Sequence, residues 1–234
     1  MFRCCFVLLA VLVFSPASAQ WAGEVGLGYL GTSGNTRTES LNGKLALDYT
    51  RGGWKNGFKA QSTYSTDQDE TTAERYALSD KLDWSFSERN YLFVSLDWEK
   101  DLFGGIRERT SETVGYGRKL LVGPTHFLEA AIGAGARQSK ENVTGLRDED
   151  LIYRGSALYT WKLSETSAFS EGVKVESGES NTFAESLAEL KVSIVGNLFV
   201  SISYTVRYNS DVPDGSDQTD TFTAINLSYA FGAQ

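Results

Sequence analysis

The stretch LFVSISYTVRYN, residues 198–209, decides the fold, because apolar and polar residues alternate along it. Its even-numbered positions, from Leu198 to Tyr208, are all leucine, valine, isoleucine or tyrosine. Its odd-numbered positions from Ser201 to Asn209 are serine, threonine, arginine or asparagine. Successive side chains of a β-strand point to opposite faces, so the pattern predicts a strand with one apolar and one polar face.

The same alternation recurs through the chain, for example in LNGKLALDY at 41–49, and it predicts about twelve antiparallel strands. The composition of two of them, 126–139 and 181–194, would also suit a helix. We interpret both as strands because the segments on either side are predicted strands. The predicted strands are 21–31, 37–50, 54–66, 73–86, 90–101, 107–121, 126–139, 149–163, 167–177, 181–194, 197–209 and 218–231.

The polar faces of these strands carry charges of both signs, which a soluble β-sandwich could not bury without a large desolvation cost. A membrane barrel removes this cost, because its apolar faces contact lipid and its charges line the lumen. A soluble periplasmic β-protein remains the less favoured alternative. The candidate lumen-lining residues are Lys44, Asp48, Lys59, Lys81, Asp83, Asp97, Glu99, Arg154, Lys162 and Arg207.

The connections alternate between short turns and longer polar loops, which is typical of outer-membrane barrels. The longer ones are expected at 31–36, 66–72, 101–106, 139–150, 177–180 and 210–217. Aromatic residues are expected in two girdles at the membrane interfaces. Near the short turns these are Trp21, Trp54, Phe86, Trp161 and Phe231; near the long loops they are Tyr29, Tyr64, Tyr76, Trp98, Tyr153 and Tyr208.

The first nineteen residues have the three parts of a secretory signal peptide: a basic start at Arg3, an apolar run from Cys4 to Phe14, and Ala17-Ser18-Ala19 at the cleavage point. We therefore expect residues 1–19 to be removed and residues 20–234 to form the barrel. The two cysteines of the chain leave with this segment.

Composition and single residues argue against several functions. The chain has 22 basic and 30 acidic residues, a formal charge of −8, which disfavours nucleic-acid binding. Its one histidine, His126, is expected in a short periplasmic turn without a catalytic partner, so we predict no enzymatic activity. The acidic stretch with Asp211, Asp214, Asp217 and Asp220 lacks a complete calcium-loop pattern, so no metal or cofactor is predicted.

Four segments carry a family resemblance: GEVGLGYLGTSGNT at 23–36, the strand that follows it, VGYGR at 114–118 and INLSYAF at 225–231. With them, essentially the whole mature chain resembles a family of salt-induced bacterial outer-membrane proteins of unknown function. The resemblance implies a barrel in the outer membrane of a Gram-negative bacterium and no particular activity. Apart from the resemblance, Ser33-Gly34-Asn35-Thr36 is typical of a tight turn.

Two functions follow from the lumen charges. The first is a narrow channel for ions or small solutes. The alternative is a structural barrel with a plugged lumen, which only the resemblance links to osmotic or salt stress. The expected partners are outer-membrane lipids, lipopolysaccharide and, during export, the barrel-assembly machinery. We expect a monomer.

Overall fold

The computed structural model describes residues 20–32, 38–68, 70–103, 106–142, 145–212 and 217–232. These ranges contain twelve β-strands. They are β1 (Gln20–Thr32), β2 (Thr38–Arg51), β3 (Trp54–Asp67), β4 (Glu70–Ser85), β5 (Asn90–Asp101), β6 (Ile106–Val122), β7 (His126–Glu141), β8 (Arg147–Lys162), β9 (Ser167–Ser177), β10 (Thr182–Val195), β11 (Leu198–Asn209) and β12 (Thr219–Gly232). No helix long and apolar enough to cross a membrane occurs in the described ranges.

The strands close into one antiparallel barrel, in which each strand pairs with its neighbours in sequence. The ring is closed between the first and last strands, where Val25 faces Tyr229 and Leu27 faces Leu227. Closure matters because the first and last strands, which would otherwise be the open edges of the sheet, pair with each other over residues 22–27 and 227–232. The predicted fold class is confirmed, including strand structure in β7 and β10, whose sequences would also suit a helix.

Two of the predicted loops are wrong in length. Residues 66–72 were expected as a loop, but β3 continues to Asp67, which pairs with Glu70 of β4. Residues 139–150 were also expected as a loop, but β7 and β8 continue until Lys140 pairs with Arg147. Backbone ladder bonds do not depend on side-chain polarity, so strands extend past the point where the apolar alternation stops.

The distribution of apolar and polar residues is the reverse of that in a soluble protein. Leu27, Ile132 and Tyr153 on the outer wall are 66–69% exposed. On the inner wall, Ser201 and Glu176 are at most 1% exposed. An outer wall of this kind is stable only against an apolar surrounding, whereas the polar groups inside bond to one another.

Aromatic rings form a row on the outer wall at the end of the barrel that carries the short turns. Ring centroids lie 6.2 Å apart for Trp54 and Trp84, 6.1 Å for Trp84 and Phe86, and 6.4 Å for Phe86 and Tyr116. Trp21 joins this end through Tyr49 of the next strand, at 4.8 Å. The row has the position and composition of an interfacial girdle.

The interior near the same end contains a small apolar cluster of Tyr91, Phe93 and Ala131. The two aromatic rings lie against glycines of β6. A Cβ atom at Gly117 would come within 2.1 Å of the Tyr91 ring, and one at Gly115 within 2.7 Å of the Phe93 ring. The VGYGR segment therefore places glycine where the rings approach the backbone too closely for a side chain.

Three of the predictions lie outside the described residues. They are the signal peptide at 1–19, the SGNT turn at 33–36 and, within the acidic stretch, Asp214.

Candidate functional site: the lumen

The first charged group in the lumen, here called the lysine cluster, consists of Glu24, Lys44, Glu189 and Lys191. Lys44 Nζ lies 2.6 Å from Glu24 and 2.7 Å from Glu189. Lys191 Nζ contacts the same two carboxylates at 2.6 Å and 3.3 Å. Two ammonium and two carboxylate groups thus alternate in a square that joins β1, β2 and β10 across the interior.

The second group, here called the arginine cluster, consists of Arg75, Glu99, Arg109, Glu185 and Arg207. Arg207 donates to both oxygens of Glu99, with Nη1 to Oε1 at 2.5 Å, and its Nε donates to Glu185 at 2.8 Å. Arg109 and Arg75 also donate to Glu99, at 3.3 Å and 3.4 Å. One carboxylate therefore holds three guanidinium groups.

The arginine cluster rests on an aromatic ring. Phe183 of β10 is only 1% exposed. The guanidinium carbon of Arg109 lies 3.6 Å from its ring centroid, and that of Arg207 lies 5.2 Å away. Cation–π contacts of this kind add to the ion pairs in a desolvated site and hold the guanidinium groups in fixed positions.

A third set of contacts crosses from β8 to β5 and β9. Arg154 donates to Asp97 at 2.6 Å and lies 3.5 Å from Glu176. Glu176 also accepts a hydrogen bond from Ser111 of β6 at 3.0 Å. This set links β5, β6, β8 and β9 across the interior.

The lysine cluster, the arginine cluster and the Arg154 contacts surround a cavity of about 490 Å³. Its lining comes from β3 to β6 and from β8 to β11. The cavity is therefore a property of the closed ring, not of one hairpin. Its polar walls suit water and ions better than an apolar ligand.

The structure brings six of the ten predicted lumen residues into this network or onto the cavity wall. These are Lys44, Lys59, Asp97, Glu99, Arg154 and Arg207. Two others, Lys81 and Asp83, pair with each other at 3.0 Å, and Lys81 Nζ lies 4.7 Å from the centroid of the Tyr91 ring.

The last two predicted residues lie apart from the network. Asp48 pairs with Lys55 at 3.3 Å, and its side chain is 47% exposed. Lys162 is exposed at the end of β8, beside a short turn. Both stand where strands meet the short turns, so they contact solvent instead of the charges of the cavity.

The prediction missed Arg75, Arg109, Glu185, Glu189 and Lys191, which are central to both clusters. Alternation could have found the three on β10, since Glu185, Glu189 and Lys191 all occupy odd-numbered positions of one strand. The segment was predicted as a strand, but its charged face was not assigned to the lumen. Which charges pair across the barrel depends on ring closure, which no local pattern contains.

His126 lies on the outer wall at the short-turn end. Its Nδ1 is 2.9 Å from the hydroxyl of Tyr159, and its ring stacks on Trp161 at 5.8 Å between centroids. The contacts are those of a girdle residue. Across the described ranges, no group of three or more histidine, cysteine, aspartate or glutamate residues could hold a metal ion.

A closed antiparallel barrel with an apolar outer wall and a charged lumen defines the class: an outer-membrane-type β-barrel protein. The chain belongs to the family described as "Protein of unknown function, DUF481", which it matches over residues 25–231. It is 32% identical over 220 residues to "Uncharacterized protein YdiY" of Escherichia coli (strain K12), covering 92% of this chain and 86% of that protein. Neither description names an activity.

Two solved structures have a similar course of the chain. One is the translocator domain of the autotransporter NalP from Neisseria meningitidis, with 12% identity, a TM-score of 0.49, and 93% of this chain and 90% of that one covered. The other is the COG4313 outer membrane channel from Pseudomonas putida F1, with 9% identity, a TM-score of 0.49, and 94% and 97% covered.

Proposed function

We propose that residues 20–234 form a non-enzymatic barrel in the outer membrane of a Gram-negative bacterium, which passes ions and small solutes through a narrow lumen. Residues 1–19 are the cleaved signal in this proposal. The exposed apolar outer wall with its aromatic row supports insertion into a bilayer. Closure of the ring supports a monomer, because the two terminal strands pair with each other and not with a second chain.

The observation that carries the channel proposal is the polar cavity between the two charged clusters. A twelve-stranded ring is wider than an eight-stranded barrel, whose side chains just fill it. Here long charged side chains extend inward and leave about 490 Å³ at the centre. Such a path suits hydrated ions and small solutes, which facing charges sort by sign.

A structural barrel with a closed lumen is the second candidate. It is favoured by the direct contact of Glu99 with Arg207, which joins opposite walls. In this form the protein would contribute to the envelope through its contacts with outer-membrane lipids and lipopolysaccharide after insertion by the assembly machinery. A role in osmotic or salt stress belongs to this candidate.

Electrical recording separates the two candidates. The purified protein, migrating faster on an unheated gel than on a heated one as a folded barrel does, is added to a planar lipid bilayer in potassium chloride. The channel proposal expects small discrete current steps that grow with salt concentration. Folded protein that gives no current at any salt concentration overturns the channel and supports the closed barrel. Recovery of the chain from the inner-membrane or soluble fraction of cells overturns the outer-membrane assignment.

A further inference from the structure

The wall of the central cavity carries an excess of positive charge. Seven of its lining residues are lysine or arginine and five are aspartate or glutamate, a net charge of +2. The chain as a whole has a formal charge of −8. The wall of this cavity therefore has the opposite sign from the protein as a whole.

The excess belongs to particular side chains. Each of the five carboxylates on the wall contacts at least one cation, as Glu99 contacts three guanidinium groups. Lys59 lines the cavity without an ion-pair partner among the described residues. Lys174 reaches its nearest carboxylate, Glu185, only at 4.0 Å. The other five cations on the wall each lie within 3.4 Å of a carboxylate, so these two ammonium groups are the ones on the wall without a close ion pair among the described residues.

The two lysines come from opposite sides of the barrel. Lys59 is on β3 and Lys174 is on β9, and these strands are six positions apart in the twelve-membered ring. A small ion inside the cavity thus meets a positive group from each wall. Charge–charge interactions are stronger there than in bulk water, because the surrounding protein and lipid have a low dielectric constant.

From this arrangement we propose that the cavity is an anion-selective passage, in which Lys59 and Lys174 attract small inorganic or carboxylate anions. The inference rests on the proposed channel function and names its substrate class. The three arginines of the arginine cluster have a different role. Glu99 and Glu185 balance their charges, so these arginines narrow the passage without binding the anion tightly. Selection without tight binding is what conduction requires.

The test is the zero-current potential of the purified protein in a planar bilayer separating two potassium chloride concentrations. The wild type is compared with the double variant Lys59→Gln/Lys174→Gln, which brings the charge of the wall to zero. Lys162→Gln is the control, because it removes the charge of a lysine that lies outside the cavity lining. All three proteins are first checked for the folded form on an unheated gel.

The proposal expects chloride to be more permeant than potassium in the wild type and in Lys162→Gln. In the double variant the permeability ratio falls by roughly twofold or more towards unity. A potassium-preferring wild type, or a double variant with an unchanged ratio, overturns the anion inference while leaving the channel in place. Absence of any current from folded protein overturns the channel function and the inference together.

Discussion

Glu99 of β5 and Arg207 of β11 form a two-point ion pair although their strands are six positions apart in a ring of twelve. The two residues lie on opposite walls of the barrel, so their contact spans the lumen. Arg207 is 5% exposed, and Glu99 also accepts from Arg75 and Arg109. The carboxylate of Glu99 is therefore the common anchor of three cations that would otherwise repel one another.

Replacing Glu99 with glutamine tests this anchor. The neutral amide cannot balance three guanidinium groups, and we expect them to separate towards the walls. A buried charge that loses its partner costs about 3–5 kcal/mol, so the folded barrel should unfold at lower denaturant concentration. The current step should become larger, because the groups that crossed the lumen have withdrawn. Urea unfolding in lipid vesicles and bilayer recording measure the two effects.

Asp48→Asn is the control for this variant, since Asp48 pairs with Lys55 in a half-exposed position. Exposed pairs contribute about 0–1 kcal/mol, so little change is expected. Glu99→Gln protein with wild-type stability and current would show that the arginine cluster neither holds nor narrows the barrel.

The fold could be predicted from the sequence more fully than the site. Alternation is a local property, and it located all twelve strands, since each strand must send apolar residues to one side only. Ion pairs such as Lys44 with Glu189 join residues 145 positions apart in sequence. They depend on the register of every intervening strand and on closure of the ring, which explains why more than half of the charges in the two clusters and the pairing between them were not predicted.

Gly117 gives a second prediction. A Cβ atom there would lie 2.1 Å from the Tyr91 ring, and Tyr91 is only 3% exposed. We expect Gly117→Ala to destabilise the barrel by about 1–3 kcal/mol through overpacking. Gly155→Ala is the control, because a Cβ at that position meets nothing within 4 Å. Unfolding midpoints in urea compare the two, and equal midpoints would contradict the packing of Tyr91 on β6.

Gly178 gives a third prediction, at the end of the barrel opposite the short turns. Arg137 Nη2 donates to Asp150 at 2.8 Å, and both side chains are nearly fully buried. A Cβ on Gly178 would lie 2.7 Å from Asp150 Oδ2 and 2.9 Å from Arg137 Nη2. Gly178→Ala should therefore push the pair apart and loosen the link between β7, β8 and the β9–β10 connection.

Limited proteolysis of folded protein in detergent measures this loosening, with cleavage expected between β9 and β10 at least several-fold faster than in the wild type. Gly172→Ala provides the comparison, since its Cβ would make only an ordinary contact at 3.9 Å with Leu158. If both variants resist the protease as the wild type does, the ion pair does not hold that connection.

Asp80 gives the last prediction, because it is a carboxylate on the outer wall. It lies between Leu78 and Leu82, which are 43% and 41% exposed, and it accepts a hydrogen bond from Asn56 Nδ2 at 2.6 Å. A charged side chain on the lipid-facing wall destabilises a barrel. The cost is about 2–4 kcal/mol for lysine or arginine near the midplane, and it is smaller for aspartate. Asp80→Asn keeps a side chain that can bond to Asn56 and removes the charge, so we expect the free energy of unfolding in lipid vesicles to rise by about 1 kcal/mol.

Asp48→Asn is the control for this variant. It should show no such rise, because the side chain of Asp48 contacts water. A loss of stability in Asp80→Asn would mean that the ionised carboxylate is itself stabilised on this part of the outer wall, and that lipid does not cover β4 there.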